Sequence, residues 1–453
     1  MGGAFAELYE ARWVLLISAV LSLLFTLIYI KFMDWCAFWL SWLSVVLVFC
    51  SLAGSGVYAI MYRNDKIEED ASYEDTSEAG WILFYAWTSL IAAGIYLLVM
   101  VCSFNSLRVA IAVIETAADY FADTKRIIFV PLLYFLIGFI CFIAWVFALL
   151  CVASIGPITV DSVALQTKDI EWDEKTTYAM WYMLFGFFWI MAFIISCNEF
   201  VVIVSAITWY YSDKTEPDDD GIPGDSDVKV GFWWSFRYHM GSLAFGSFIL
   251  AIVWIIRFIF EYIGEKMIEA TGNNGCTKCL IACIRCCLDC FDRFIRYLNR
   301  NAYIYMALSG ESFCSSALNA FILILKNAAK FAFVEGIADV FMFLAKFFIS
   351  CSTTAVSWPI MKAIADVDSV FFPLFMVFLL SYMIASTFIA VFDVSANTIL
   401  QCYLMDKEIA AQQGVGDPAH IPPTMTKFFG KEVVQQQMKE TEAKHKAGGL
   451  ERP

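Results

Sequence analysis

Apolar runs long enough to cross a lipid bilayer recur along this chain, and nearly all of them lack charge. A helix needs about 20 apolar residues to span the hydrocarbon. By that measure spans are predicted near 13–30, 38–62, 80–103, 127–153, 178–211, 240–263, 331–356 and 370–391. The predicted fold is all-α, a polytopic transmembrane helix bundle of about nine spans with additional cytosolic amphipathic helices. The ninth span, near 278–298, is short and carries Arg285 and Asp289. It is included because inside and outside loops alternate only if it crosses.

Composition supports a lipid setting. The 453 residues are 60% hydrophobic, 17% aromatic and 16% charged, whereas soluble domains carry about 25% charged residues. The formal charge of −14 argues against a nucleic-acid partner, which requires a basic face. Acid collects in loops such as NDKIEEDASYEDTSE (64–78) and DKTEPDDDGIPGDSD (213–227). No N-x-S/T acceptor occurs and no cleavable leader is evident.

Basic residues near span ends set the expected orientation. The 104–126 and 293–330 connections and the C-terminal tail hold most of them and are placed in the cytosol. The acidic loops 63–79 and 154–177 are placed outside. Loop 212–237 is then cytosolic despite its acid, since carboxylates weigh little in this rule. The connections FNSLRVAIAVIETAADYF (104–121) and SALNAFILILKNAAKFAF (316–333) look alike. They read either as an internal repeat or as two unrelated amphipathic helices on the membrane. Residues 1–405 form the expected transport domain. Residues 406–453 form a polar cytosolic tail expected to be mobile.

Two blocks carry a family resemblance. SFRYHMGSLAFGSFILAIVWIIRFIFEY (235–262) and CTKCLIACIRCCLDCFDRFIRYLNRNAYIYMALSGESFCSSALNAF (276–321) closely resemble the choline transporter-like family. FGFFW (185–189), TWYY (208–211) and FLAK (343–346) are similar to it as well. The resemblance extends over about residues 10–405. It implies a secondary carrier for choline or a related organic cation such as ethanolamine, with proton exchange proposed for members. It implies ten spans with both termini cytosolic, at the plasma membrane or an organelle. The family's first span and large extracellular loop are expected to be missing here, so that nine spans match its second to tenth.

Glu199 stands out among the few ionisable residues within spans. A charge at mid-bilayer costs roughly 2.5–3.5 kcal/mol or more, so such a residue is usually retained for a task. Asn198 adjoins it, and Trp189 lies ten residues earlier, about 15 Å away along a helix. A trimethylammonium is held by ring faces, at roughly 0.5–2 kcal/mol each, and by an anion. Glu199, Asn198, Trp189, Phe185, Tyr238 and Trp254 are the candidate substrate-binding residues. Trp145, Trp181, Tyr182 and Tyr134 are further ring candidates. The alternative for Glu199 is an interhelix contact or a protonated carboxyl, and for any single ring it is ordinary packing.

Glu335, Asp339 and Lys346 fall along one face of the 331–356 helix. Lys346 and Asp339 are candidates for an ion pair, with Glu199 as the alternative partner of Lys346, or for a gate. His239 is a candidate proton relay or a structural hydrogen-bonding group. Gly241 and Gly246 are expected to permit close helix contact. Cys276, Cys279, Cys283, Cys286, Cys287 and Cys290 have helical spacing, which makes a stripe and not a tetrahedral shell; no metal or cofactor is expected. No P-loop, H-E-x-x-H or G-x-S-x-G motif occurs, so an ATP-driven pump and an enzyme are not expected. A lipid scramblase or a non-transporting membrane scaffold remains the alternative function.

Overall fold

The computed structural model describes residues 10–69, 73–74, 76–155, 158–160, 168–170, 172–212, 228–270, 275–364, 370–413 and 420–426. It is helical apart from one antiparallel ribbon, β1 (Ile158–Val160) paired with β2 (Lys168–Ile170), in which Thr159 stands opposite Asp169. The helices are α1 (Arg12–Glu69), α2 (Ser77–Cys102), α3 (Phe104–Asp123), α4 (Phe129–Ala153), α5 (Glu174–Tyr211) and α6 (Val228–Arg237). They continue with α7 (Met240–Ala270), α8 (Gly275–Ser309), α9 (Phe313–Lys326), α10 (Ala328–Ile364) and α11 (Phe371–Gln413).

Among the described residues, seven helical stretches are long and apolar enough to cross a membrane. Two of them, Arg12–Phe32 and Ala37–Glu69, lie within α1. The bent pair Thr277–Ser309 and Phe313–Lys326 makes an eighth if it counts as one span. The expected nine are therefore seven or eight by length and composition. The straight crossing expected at 278–298 is instead the first arm of a 107° bend. Helix α10 is long enough at 37 residues but lies outside that set.

Local chemistry explains several helix ends. Asp173 caps α5, accepting the Thr176 amide at 2.9 Å, and hydrogen bonding from the Thr176 side chain and then its amide holds the Asp173 carboxyl below its ordinary range. Thr76 caps α2 through the Ala79 amide at 3.3 Å. Gly310 ends α8 in the left-handed region, at φ 73°, where its amide reaches the Met306 carbonyl at 2.9 Å. A residue without Cβ adopts that conformation without strain. Glu311 then accepts from Ser315 and Asn319 of α9, at 2.6 and 3.0 Å.

The chain divides into two compact units, residues 1–123 with 327–453, and residues 124–326. The first holds α1, α2, α3, α10 and α11. Hydroxyls tie its helices together: Ser18 meets Ser357 at 2.8 Å and Ser55 meets Ser89 at 2.9 Å. Water-free helix contacts gain from such small polar residues. Helix α3, read from sequence either as part of a repeat or as a helix on the membrane surface, has Leu107, Ile111, Ile114, Ala118 and Phe121 all buried in the unit. Its supposed counterpart at 316–333 is not one helix, because the chain breaks at Asn327 between α9 and α10. Residue 406, the expected start of the tail, lies inside α11. The 420–426 segment folds back: the His420 amide reaches Asp406 at 3.0 Å, Thr424 bonds Asp119, and Met425 is buried. The remainder of the expected tail lies outside the described residues, as does most of the expected loop 212–237.

The second unit holds α4 to α9. In α5 the apolar residues from Phe200 to Ala206 are fully buried, while Trp181, Tyr182 and Trp189 nearer its start remain exposed. Helix α4 shows the opposite extreme, with Phe135, Phe139, Ile143 and Phe147 all exposed. That is the expected surface of a helix solvated by acyl chains.

Candidate functional site

Helix α8 is the one to read first. Its residues Asp289, Asp292, Arg296, Asn299 and Tyr303 recur three to four positions apart, and Arg300 lies four beyond Arg296, which places all six along one side of the helix. Each of the six meets a partner in the second unit. Tyr303 donates to Ser196 of α5 at 3.1 Å, and Asn299 donates to the Gly246 carbonyl of α7 at 2.9 Å. Arg300 pairs with Glu199 of α5 at 3.6 Å. Higher along α7, Trp254 donates through its indole to Asp292 at 3.1 Å, and Arg296 donates to the same carboxylate at 2.9 Å. Arg257 pairs with Asp289 at 2.7 Å and with Glu261 at 3.3 Å. A polar seam therefore runs along α8 against α5 and α7.

Close approach makes this seam possible. A Cβ built on Gly246 would fall 2.8 Å from Phe313 and would collide with the Tyr303 hydroxyl, whereas one on Gly241 meets nothing. Only the first of the two expected contact glycines performs that role.

Glu199 is partly exposed, at 22% of its side chain, and its partner Arg300 is at 20%. This is the interhelix contact given as the alternative for Glu199, with Arg300 as the partner where Lys346 had been named. Beside it, the Asn198 side-chain oxygen is buried with no hydrogen-bond partner among the described residues. Phe200 meets His239 at a tilt with ring centroids 5.1 Å apart, and partial burial pushes His239 below its ordinary range. Phe185 and Trp189 pack on Phe248 of α7 at 5.8 and 5.3 Å, and the Trp189 indole donates to the Ala244 carbonyl at 3.1 Å. Tyr238 is set apart: it is exposed at the turn before α7, with the Arg237 guanidinium 5.5 Å from its ring.

The Trp254 ring already bears a cation. The Arg296 guanidinium lies 4.9 Å from its centroid, and Phe188 meets it edge-on at 6.2 Å. From Phe188 the rings continue to Phe258 at 6.1 Å and to Trp181 at 6.3 Å. Trp181, Phe258, Trp145 and Tyr262 line a cavity of about 360 Å³ in the same unit. Tyr134, also named from sequence, stacks on Phe232 at 5.8 Å.

In the first unit, Lys346 is partly exposed and forms no ion pair among the described residues. Glu335 instead accepts from Asn397 of α11 at 3.1 Å, and the same amide reaches Asp393 at 3.3 Å. Asp339 lies on the same helix, one turn beyond Glu335. A cavity of about 270 Å³ here is lined by Val45, Val99, Phe333 and Ile337, with hydroxyls from Ser44 and Tyr96 and no charged residue. It suits hydrocarbon and not a cation. The exposed sulfurs of Cys279, Cys283, Cys286, Cys287 and Cys290 run along α8 as a stripe.

Asp292, Arg296, Arg300 and Tyr303 escaped the sequence reading. Their signal is a three-to-four spacing along α8, which marks one side of the helix but not what lies opposite it.

Comparison with known proteins places these contacts in context. A family model described as plasma-membrane choline transporter matches residues 87–408. Choline transporter-like protein 2 of Dictyostelium discoideum is 30% identical over 325 residues, covering 70% of this chain and 49% of that protein. Choline transporter-like protein 1 of Mus musculus is 28% identical over 400 residues, covering 86% of this chain and 59% of its own length. Choline transporter-like protein 5-B of Danio rerio is 27% identical over 467 residues, with 90% and 65% covered. The chain thus spans about half to two thirds of the length of these relatives.

Proposed function

This chain belongs to the plasma-membrane choline transporter family, and from that premise we propose that it carries choline, or a closely related organic cation such as ethanolamine, across the plasma membrane. The observation that carries this reading is the polar seam of the second unit. Its carboxylates, Glu199 and Asp292, sit in a helix bundle rich in ring faces, and a quaternary ammonium offers no hydrogen bond and needs both. Glu199 and Asn198 supply the anion and an amide; Phe185, Trp189 and Trp254 supply rings. Tyr238 serves as a further ring, Asp339 and Lys346 as gate elements, and His239 as a proton acceptor. An inside-negative potential drives such a cation inward by about 2.3 kcal/mol per 100 mV, and proton exchange is a second available drive.

Uptake of labelled choline by vesicles holding the purified full chain tests this. Saturable uptake that rises with an inside-negative potential is expected, and repeating it at two pH gradients decides the proton coupling. Glu199→Gln should lower uptake at least about tenfold while the protein still melts cooperatively, since a charge-assisted contact is worth roughly 1.5–3 kcal/mol. Unchanged uptake in that variant removes Glu199 from the site. No uptake of any small cation by the native chain rejects the carrier reading in favour of a scaffold or scramblase.

A further inference from the structure

The arrangement around Trp254 is that of an occupied cation site. Asp292 accepts from the Trp254 indole on one oxygen and from Arg296 on the other, at 3.1 and 2.9 Å. The Arg296 guanidinium covers the indole face at 4.9 Å. A delocalised cation on a ring face, held by a carboxylate, is the same recognition that a small quaternary ammonium requires. The three groups differ in freedom. The Asp292 side chain is 7% exposed, whereas that of Arg296 is 47% exposed. Asp292 and Trp254 are therefore the fixed walls, and Arg296 is a long side chain able to leave them. A file of rings, Phe188, Phe258 and Trp181, connects Trp254 to the 360 Å³ cavity.

We propose that Trp254 and Asp292 form a berth for the transported cation, and that Arg296 is its resident occupant, displaced when substrate arrives. This rests on the carrier reading and adds Asp292 and Arg296 to it. Exchange of one cation for another never leaves the Asp292 carboxylate bare, which matters because an uncompensated buried charge is strongly unfavourable. Once displaced, the guanidinium returns to the open side from which it is already half visible. The empty berth recloses by the same contact, so that a cation released on the far side is not readily drawn back.

A tethered competitor lowers apparent affinity by the fraction of time the berth is free. If Arg296 holds the berth about nine-tenths of the time, its removal lowers the choline KM about tenfold. Arg296→Gln is the direct test, read as KM for choline uptake in vesicles. Arg296→Lys keeps the charge and gives up the planar stack, so its KM should fall between those of Arg296→Gln and the native chain. Trp254→Leu should raise KM, and in that background Arg296→Gln should no longer matter. Added guanidinium ion should inhibit uptake by Arg296→Gln competitively, and should do so less in the native chain.

A native chain that takes up choline, with KM unchanged in both Arg296 variants, overturns the proposal and leaves the carrier reading intact. If Arg296→Gln fails to fold, Arg296→Lys decides the matter: its KM should be lower than that of the native chain and guanidinium ion should inhibit it more, and equality in both overturns the proposal. A native chain without uptake removes the carrier reading, and this proposal with it.

Discussion

Gly246 is where the fold and the site depend on a single missing carbon. Alanine there would put a Cβ 2.8 Å from Phe313 and 3.0 Å from the Tyr303 ring carbon that bears the hydroxyl. Neither neighbour is a flexible chain end. Tyr303 is 1% exposed, and its hydroxyl is engaged by Ser196. Helix α7 must therefore back away from α8 and α9 by a large part of an ångström. Overpacking of this kind costs about 1–3 kcal/mol. Weakening the Tyr303–Ser196 bond costs about 0.5–1.5 kcal/mol more, and the better helix propensity of alanine returns about 0.8–1 kcal/mol. The net is a loss of about 0.5–3.7 kcal/mol. The assay is thermal melting of the purified protein in detergent, with Gly241→Ala as control. That site is on the same helix and its Cβ would meet nothing, so the control should match or slightly exceed the native chain. Gly246→Ala should melt several degrees lower and transport less, because the shift also pulls Trp254 from Asp292. Equal melting of the two variants would refute the close-approach argument.

Two other expectations concern charge. Lys346 has no ion pair among the described residues, so Lys346→Met should raise stability by about 1–3 kcal/mol, the gain of replacing a half-buried charge with a side chain of similar volume. Uptake should fall if Lys346 gates transport; a lower melting temperature would show that the lysine does have a stabilising partner. His239 binds its proton less readily when folded than when unfolded, because it is partly buried. The unfolded chain thus takes up more protons between the depressed value and about 6.5. Stability should be full above that window and fall as pH drops through it, and His239→Gln should flatten the dependence in melting curves taken across the range.

Much of the architecture was legible because it depends on length and local chemistry. An apolar run of span length has to be a helix in lipid, since its backbone groups find no other partners there. The misreadings share one cause. Helix α3 has an apolar stripe, which predicts a face to bury, but the stripe does not say whether lipid or protein buries it. The bend after Ser309 and the break at Asn327 likewise depend on what α9 packs against.

The contacts at the site show the same division. Helix α5 is apolar on every side, so no periodicity indicates which way Glu199 faces or what it meets. Sequence alone determined that this is a membrane-embedded bundle of helices, that it resembles choline carriers, and that a few charges within it had to be accommodated. The folded chain alone decided that Glu199 meets Arg300, and that Arg296 sits on Trp254 beside Asp292. Helical spacing assigns a residue to a side of its own helix; which residue lies opposite is set by how the helices cross, through contacts far apart in the chain such as Gly246 against Tyr303.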